Sequence, residues 1–367
     1  MAAHSMLSDS PRAIFSDRAL VPAGAPHTIM LYPFWGKAAE DPDDPNSGRF
    51  DRYASLGGRF FRLTGLGEAE LAVVPADWTH IVKNPASAAA AAEFGAVACE
   101  AGARTIVFFV NDSDEPVVLP GATVFRTSLY RSRQRAAEFA QPAWSEDFAE
   151  RYAQPELPLR KKQLEPTVGF CGLAPAARLA RFRRGVGSSI RGRALHRLTR
   201  TTGVQTNFVV RQEFVGGAVR DGRTDAATMQ RVRIEYVQNM LDSDYVLCAR
   251  GAGNFSYRLY ETLSCGRIPV FVDTDCVLPY DFLVDWRDYV VWIEEAQIDK
   301  IGELVLEFHE RLSDAEFRDL QRECRRVWER YLRPEGFFEN LHEHFAEHPS
   351  VVGPDGSRRQ AAGREAT

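Results

Sequence analysis

The stretch YVLCARGAGNFSYRLYETLSCGRIPVFVD, residues 245–273, decides the predicted fold. It begins with the short apolar run YVLCAR, which is typical of a buried strand, and continues into a loop that contains Gly251 and Gly253. Helix formers follow in SYRLYETLSCG, and IPVFVD is a second apolar run. This order predicts a β-loop-α-β unit. Glycines placed just before a helix let backbone N–H groups approach a phosphate.

The alternation of strands and helices extends along the chain. Apolar runs predict strands at 28–35, 70–75, 104–110, 122–130, 167–172 and 206–211, and helical patterns occur at 87–102 and 223–244. Such alternation favours largely parallel sheets. The expected fold class is therefore α/β, with two doubly wound Rossmann-like domains that face a central cleft and with a helical C-terminus.

The predicted organisation has six parts. They are a flexible leader at 1–26, a first Rossmann-like domain at 27–150, a proline-rich linker at 151–166, a second Rossmann-like domain at 167–312, C-terminal helices at 313–347 and a disordered tail at 348–367. Ser313 and Glu316 form a capping-box pattern that begins a long helix, and Pro334 is expected to end it.

The composition is that of a globular protein in which any anion site must be local. Of the 367 residues, 45% are hydrophobic and 26% are charged, and the formal net charge of −5 gives no general attraction for nucleic acid. The six cysteines show no CxxC pattern, so buried reduced thiols are expected. Neither a secretory apolar region nor an apolar window of membrane-spanning length is found in the sequence, and a cytoplasmic location is the expectation.

Three phosphate-binding patterns compete for the glycine loop. A P-loop requires a lysine after its second glycine, and none follows here. A dinucleotide fingerprint requires a third glycine where Ser256 stands. The third possibility is a sugar-nucleotide site, in which the loop and helix N-terminus take the diphosphate and Arg250 or Arg258 balances its charge. In that arrangement Ser256 adds a hydroxyl donor, and Glu261 is placed to accept both ribose hydroxyls.

A longer motif surrounds this loop. Its positions are Ser243, Arg250-Gly251, Ser256, Arg258, Glu261, Gly266, Ile268-Pro269-Val270 and Leu278-Pro279. In these residues the segment 243–281 resembles the signature region of the exostosin family of glycosyltransferases. The chain departs from that pattern at Ala249, where proline is usual, and at Tyr280. Weaker similarities at 67–78 and 168–172 extend the resemblance to roughly half of the chain.

The resemblance implies a GT-B architecture, in which the second domain binds a nucleotide sugar, usually UDP-linked, and the first presents the acceptor. It implies an inverting hexosyl- or pentosyltransferase without a metal or other cofactor. Asp273-Thr274-Asp275 nevertheless matches the Asp-x-Asp pattern of a metal-binding pair. The predicted donor-binding residues are Gly172, Arg250, Gly251, Gly253, Asn254, Ser256 and Glu261. The acceptor would be a glycan, a lipid-linked sugar or a small molecule; nucleic acid is not an expected partner, and oligomer formation is left open.

An inverting transfer requires a base on the acceptor side and positive charge at the departing diphosphate. Arg258 is the predicted catalytic cation, while Asp112 and Asp114, which follow the strand at 104–110, are the predicted bases. The eight arginines within 177–200 predict either a solvated helix face or a surface that faces phosphate or an anionic acceptor.

Two other functions stay open on the sequence alone. A non-catalytic relative would keep the nucleotide-sugar pocket as a binding module or as a subunit that stabilises an active partner. A dinucleotide-dependent oxidoreductase is the third interpretation, because the loop matches part of the dinucleotide fingerprint. Binding of UDP, turnover of UDP-sugars and protection by NAD(H) separate the three.

Overall fold

Two parallel sheets flanked by helices form the framework of the protein. The computed structural model describes residues 10–41, 44, 46–153, 156–174, 186–220 and 223–346. The predicted α/β class, with two doubly wound sheets and a helical C-terminus, is confirmed. The predicted tail at 348–367 and the first nine residues of the predicted leader lie outside the described residues.

The first sheet is built from six short strands, all parallel. They are β1 (Arg12–Phe15), β2 (Phe61–Leu63), β3 (Leu71–Val73), β4 (Arg104–Phe109), β5 (Thr123–Arg126) and β6 (Glu138–Ala140), in the spatial order β2-β1-β3-β4-β5-β6. The helices of this half are α1 (Tyr32–Trp35), α2 (Asp51–Leu56), α3 (Trp78–Ile81), α4 (Pro85–Glu100) and α5 (Phe148–Tyr152).

The second sheet has five parallel strands. They are β7 (Thr167–Leu173), β8 (Gln205–Arg211), β11 (Tyr245–Cys248), β12 (Ile268–Asp273) and β13 (Val291–Glu294), and a small antiparallel pair, β9 (Val219–Arg220) and β10 (Arg223–Thr224), lies between β8 and β11 in sequence. The helices are α6 (Val186–Thr199), α7 (Ala226–Leu241), α8 (Tyr257–Ser264), α9 (Ile301–Arg311), α10 (Asp314–Val327) and α11 (Pro334–Glu339). The short 3₁₀ segments are Arg18–Leu20, Ile29–Leu31, Gly57–Arg59, Leu66–Glu68, Arg131–Arg133, Phe214–Gly217, Trp286–Asp288, Glu295–Lys300 and Leu341–Phe345, and Trp328–Leu332 is π-helical.

The strand order of the second sheet fixes where a ligand can bind. The order is β13-β12-β11-β7-β8, so β8 lies on one side of β7 and all later strands lie on the other. The connections after β7 and after β11 therefore leave neighbouring strands in opposite directions. Such a reversal opens a crevice at the carboxyl ends of parallel strands.

The C-terminal helices return to the first sheet. The capping box of Ser313 and Glu316 is present at the start of α10, and Pro334 opens α11 after the π-helical turn. Phe338 in α11 stacks on Tyr53 with ring centroids 4.3 Å apart and also contacts Trp144 and Phe108. This aromatic cluster ties the end of the chain to the core of the first domain.

The prediction of a flexible leader at 1–26 is wrong for residues 12–15. Arg12–Phe15 forms β1, which lies between β2 and β3 in the first sheet, and Ala13 and Ile14 are buried. A four-residue strand surrounded by polar sequence gives almost no periodic signal, yet two neighbouring strands supply its hydrogen bonds. The first domain therefore begins before residue 27.

The predicted strand at 28–35 is also wrong. Ile29–Leu31 is a 3₁₀ turn, and Tyr32–Trp35 is a short helix that ends at Gly36 with a φ of 83°. Pro33 occupies one of the first two positions of that helix, where its missing N–H costs no hydrogen bond. An apolar run of this length fits a buried helix turn as well as a strand.

Three further sequence predictions can be compared with the structure. The strand predicted at 122–130 is present as β5, which is shorter and is buried on both faces. All six cysteines are free, as expected, and five of them are buried, whereas Cys99 is exposed. Among the described residues, no helix has the length and apolarity needed to cross a bilayer.

We expect Phe338→Ala to destabilise the fold strongly. Its side chain is 1% exposed within the aromatic cluster, and truncation of a buried phenylalanine costs about 3–5 kcal/mol of the free energy of unfolding. Urea denaturation measures the loss. Val118→Ala, at a side chain that is 77% exposed, is the control and should change stability by less than about 0.5 kcal/mol. Equal stability of the two variants would contradict the anchoring role of α11.

Candidate functional site

A cleft of about 760 Å³ opens where the second sheet reverses its strand order. One wall consists of the end of β7, the loop after β11 and the first turn of α8. Asp44, Asn46 and Asp112 reach the cleft from the first domain. Its volume lies within the range of about 300–1,000 Å³ that is usual for small-molecule sites.

Six of the ten predicted site residues line this cleft. They are Asp112, Gly172, Gly251, Ser256, Arg258 and Glu261. The structure therefore brings together a predicted base from the first domain and the predicted cation, hydroxyl and carboxylate from the second. Four further side chains that no sequence motif singles out also line the cleft: Arg191, Arg211, Arg233 and Tyr236.

Arg258 is the cation nearest the N-terminus of α8. Its side chain is 9% exposed, lies over the ring of Phe170 at 4.5 Å, and donates from Nη2 to the carbonyl of Cys171 at 2.9 Å. Its Nε is buried and has no hydrogen-bond partner among the described residues. Ser256 is the N-cap of α8, and its hydroxyl makes no capping bond. Donors are thus concentrated at the positive end of a helix.

Arg191, in α6, is a second guanidinium at the same cleft and is half-buried. Nη1 donates to the carbonyl of Leu173 at 2.8 Å, and Nη2 donates to the carbonyls of Ala249 and Arg250 at 3.2 and 3.1 Å. Burial, and after it the charge of Arg258, lowers the pKa of Arg191 to about 10. Among the described residues, neither Arg191 nor Arg258 takes part in an ion pair, although the charge of Glu261 acts on Arg258 in the direction that raises its pKa.

The remainder of the arginine-rich segment behaves in two ways. Arg193 and Arg197 pair with Asp299 at the surface, as a solvated helix face would. Arg191 instead faces the cleft. The four arginines at 178, 181, 183 and 184 lie outside the described residues. Arg193 and Arg197 thus form part of a solvated helix face, whereas Arg191 lies at the cleft.

Glu261, one turn into α8, is held in place by two partners. Its side chain is buried, Tyr236 donates its hydroxyl to Oε2, and Nη1 of Arg233 lies 3.9 Å from Oε1. Arg233 in turn donates to Glu146 at 2.9 Å and to Oδ1 of Asn46 at 2.8 Å. Burial, and after it the charge of Glu261, raises the pKa of Tyr236 well above its usual value, so the phenol remains a donor.

Asp112 faces the glycine loop from across the cleft. A Cβ added at Gly253 would lie 2.7 Å from its Oδ1 and 2.8 Å from its Cα. Only glycine allows the two backbones to approach so closely. Gly253 is thus required by the contact between the domains. The carboxylate of Asp112 is exposed, and no described residue donates a hydrogen bond to it.

Four predicted site residues lie away from the lining of the cleft. Besides Gly253, these are Asp114, Arg250 and Asn254. Asp114 pairs with Arg133, and Arg250 donates to the hydroxyl of Tyr130 at 3.2 Å. The amide of Asn254 is fully buried: Nδ2 donates to the carbonyl of Leu129 at 3.2 Å, and Oδ1 accepts from the hydroxyl of Thr274 at 2.6 Å. Arg250 and Asn254 therefore join the domains and do not reach the cleft.

Asp273 and Asp275 take part in the same junction. Asp273 accepts from the backbone N–H of Cys276 at 2.9 Å and lies 3.5 Å from Arg131, and Asp275 accepts from the backbone N–H of Ser132 at 3.1 Å. Burial raises the pKa of Asp273. Asp275 adopts a φ of 66°, which turns the chain toward the first domain. These contacts give the Asp-Thr-Asp sequence a structural role between the domains.

Comparison with known proteins finds relatives of the second domain. Residues 179–308 match the Exostosin GT47 domain. The chain is similar to Exostosin-1 of Drosophila melanogaster, with 27% identity over 31% of this chain and 14% of the relative, and to the Exostosin-1 homolog of Caenorhabditis elegans, with 28% identity over 31% of this chain and 29% of the relative. A probable glucuronosyltransferase of Oryza sativa subsp. japonica is 31% identical over 19% of this chain and 17% of its own length.

Each of these alignments thus spans less than a third of the relative's length. The segment that matches the family domain contains the loop after β11, α8 and most of the second sheet. Over this domain the chain is similar to the exostosin family of glycosyltransferases. Its two parallel sheets with a cleft between them form the GT-B-like arrangement of that family.

We expect Gly172→Ala to destabilise the protein and to displace Arg258. Gly172 has a φ of 150°, and an added Cβ would lie 2.8 Å from Nη2 of Arg258. Backbone strain of this kind costs about 1–3 kcal/mol, which urea denaturation can measure. Gly251→Ala is the matched control, because no heavy atom lies within 4 Å of its added Cβ. If both variants were as stable as the unmodified protein, the tight packing of Arg258 against β7 would be refuted.

Proposed function

We propose that the protein is an inverting glycosyltransferase that transfers a sugar from a UDP-linked donor to a hydroxyl of its acceptor. The observation that carries the proposal is the pair of guanidiniums at the cleft, the buried Arg258 and the half-buried Arg191. Both are held by backbone carbonyls, and among the described residues neither forms an ion pair. A bound diphosphate would supply the missing negative charge.

The proposed donor site follows from the positions around these cations. The diphosphate lies between the two guanidiniums and the first turn of α8, where the hydroxyl of Ser256 and the helix dipole add to the attraction. Gly251 lets the backbone approach the diphosphate, because no heavy atom lies within 4 Å of the position that a Cβ would occupy there. Arg191 and Arg258 would then balance the charge of the diphosphate, as a divalent ion does in other nucleotide sites.

Glu261 is the proposed ligand of the ribose hydroxyls. Its hydrogen bond from Tyr236 and its contact with Arg233 hold the carboxylate at the cleft before any nucleotide enters. Preorganisation of this kind reduces the entropy that binding would otherwise lose. The rings of Phe255 and Tyr257 line the same cleft and offer an apolar surface to the base.

Asp112 is the proposed general base. Asp44, Asp112 and Glu261 are the carboxylates of the described residues that line the cleft, and Glu261 is occupied by Tyr236 and Arg233. Asp44 accepts from the backbone N–H of Asn46, whereas Asp112 is free and faces the second domain. It would remove the proton of the acceptor hydroxyl, while Arg258 stabilises the negative charge on the departing UDP.

The activity is tested by incubating the protein with a panel of UDP-sugars and measuring UDP release with and without acceptor sugars. We expect release for at least one donor. UDP binding without release from any donor would favour the non-catalytic interpretation. No binding of UDP at all would overturn the proposal.

Loss of either cleft cation is expected to weaken UDP binding. Hydrogen bonds to charged groups contribute about 1.5–3 kcal/mol, so Arg191→Gln and Arg258→Gln should each raise the dissociation constant by about tenfold or more. Isothermal titration calorimetry measures it. Arg318→Gln, which removes an exposed arginine from α10, is the control with the same change in net charge. Equal affinities in all three variants would place the diphosphate elsewhere.

Loss of the base is expected to affect turnover and leave donor binding intact. Asp112→Asn should lower kcat by about 10²–10⁴-fold, the usual contribution of general base catalysis, and should leave the dissociation constant of UDP unchanged. Asp114→Asn separates the two predicted bases, because Asp114 is paired with Arg133 away from the cleft. If Asp114→Asn abolished turnover and Asp112→Asn did not, the assignment of the base would be wrong.

A further inference from the structure

Arg233, in α7, connects Glu261 with two residues of the first domain. Its guanidinium donates from Nε to Oε1 of Glu146 at 2.9 Å and from Nη2 to Oδ1 of Asn46 at 2.8 Å. The third nitrogen, Nη1, lies 3.9 Å from Oε1 of Glu261. Each nitrogen of one side chain therefore faces a different part of the boundary between the domains.

The surroundings of Arg233 fix the orientation of its guanidinium. The side chain is 13% exposed and lies over the ring of Phe148, whose centroid is 4.4 Å from Cζ. Glu146 is held in turn, because its Oε1 also accepts from the hydroxyl of Tyr152 at 3.1 Å. A planar guanidinium that is stacked on a ring and bonded through two nitrogens has little freedom to turn. The direction of Nη1 toward Glu261 is therefore set by partners in the first domain.

The contact between Arg233 and Glu261 is an ion pair that is too long for a hydrogen bond. Tyr236 donates to Oε2 of Glu261, so Oε1 can still accept hydrogen bonds from a ligand. Burial lowers the pKa of Arg233, but the charges of Glu261 and Glu146 outweigh burial and leave that pKa raised. Arg233 thus stabilises the negative charge of Glu261 without occupying the oxygen that a ribose would use.

The other end of this connection is Asn46, which lines the cleft from the first domain together with Asp44. The backbone N–H of Asn46 donates to Oδ1 of Asp44 at 2.9 Å, and the side chain of Asn46 accepts from Arg233. The position of the Asp44 carboxylate is thus linked to Asn46, and that of Asn46 to Arg233. The first-domain wall of the cleft and the carboxylate of Glu261 therefore share one guanidinium.

We propose that Arg233 is a positioning residue that couples occupation of the ribose site to the placement of the first-domain wall of the cleft. Ribose hydroxyls that bind Glu261 fix its carboxylate, and Arg233 transmits this restraint to Asn46. The two walls of the cleft are then held at one distance during transfer, which favours a reactive geometry. The inference rests on the proposed function, in which Glu261 is the ribose ligand. Arg233 itself does not touch the reacting atoms.

Amide hydrogen exchange of the full chain, measured with and without UDP, tests the coupling. In the unmodified protein, UDP should slow exchange in the peptides that contain Asn46. Arg233→Gln and Arg233→Lys should both lose this protection, because neither side chain can engage Glu146, Asn46 and Glu261 at the same time. Arg318→Gln, which removes an exposed arginine from α10, is the control and should keep it.

UDP titration separates this role from that of an ion pair that only stabilises the fold. Lysine would preserve such a pair, so Arg233→Lys would then bind UDP as the unmodified protein does. The coupling instead predicts a dissociation constant raised by about tenfold or more in both Arg233 variants, since an oriented charge is lost at Glu261. Asn46→Ala should raise it by less, and should add nothing when combined with Arg233→Gln, because both changes break the same connection.

The outcomes for the coupling and for the transferase can be told apart. UDP binding by the unmodified protein without turnover of any UDP-sugar would count against the transferase alone, because the coupling is measured from exchange and affinity. Protection at Asn46 that survives both Arg233 substitutions would overturn the coupling. A double variant of Asn46 and Arg233 whose loss of affinity is the product of the two single losses would overturn it as well.

Discussion

The candidate site depends on one electrostatic constraint: two guanidiniums, the buried Arg258 and the half-buried Arg191, lie at one cleft and form no ion pair among the described residues. Backbone carbonyls at the ends of β7 and β11 hold them in place. Burial of like charges is costly, and the lowered pKa of Arg191 reflects that cost. A site that maintains such a pair is preorganised for an anion with more than one charge.

The parallel sheets explain why these arginines meet. Strand order in the second sheet reverses next to β7, so α6, which follows β7, and α8, which follows β11, approach one crevice from opposite sides. The junction between the domains then sets the distance between the donor site and the acceptor side of the cleft. Asn254 and Asp275 bind residues 128–132 of the first domain, and Gly253 allows Asp112 to lie against the loop. The same loop thus carries the donor site on one side and the domain contact on the other.

Sequence reasoning succeeded where the signal was local. The β-loop-α-β unit at 245–273 was predicted from glycine placement and short apolar runs, and its strands and helix have nearly the predicted bounds. It failed for β1, because Arg12–Phe15 is stabilised by strands about fifty residues away and has little pattern of its own. It failed for Asn254 because a loop sequence does not reveal which side chains face a neighbouring domain. Arg191 could be suspected only as one of eight arginines, since its selection depends on where α6 packs.

The central claim is tested most directly by a crystal structure of the protein with UDP. The account predicts diphosphate oxygens within hydrogen-bond distance of the guanidiniums of both Arg191 and Arg258, next to the first turn of α8, with the ribose hydroxyls on Glu261. A UDP molecule bound elsewhere, or one whose phosphates touch neither arginine, would contradict it.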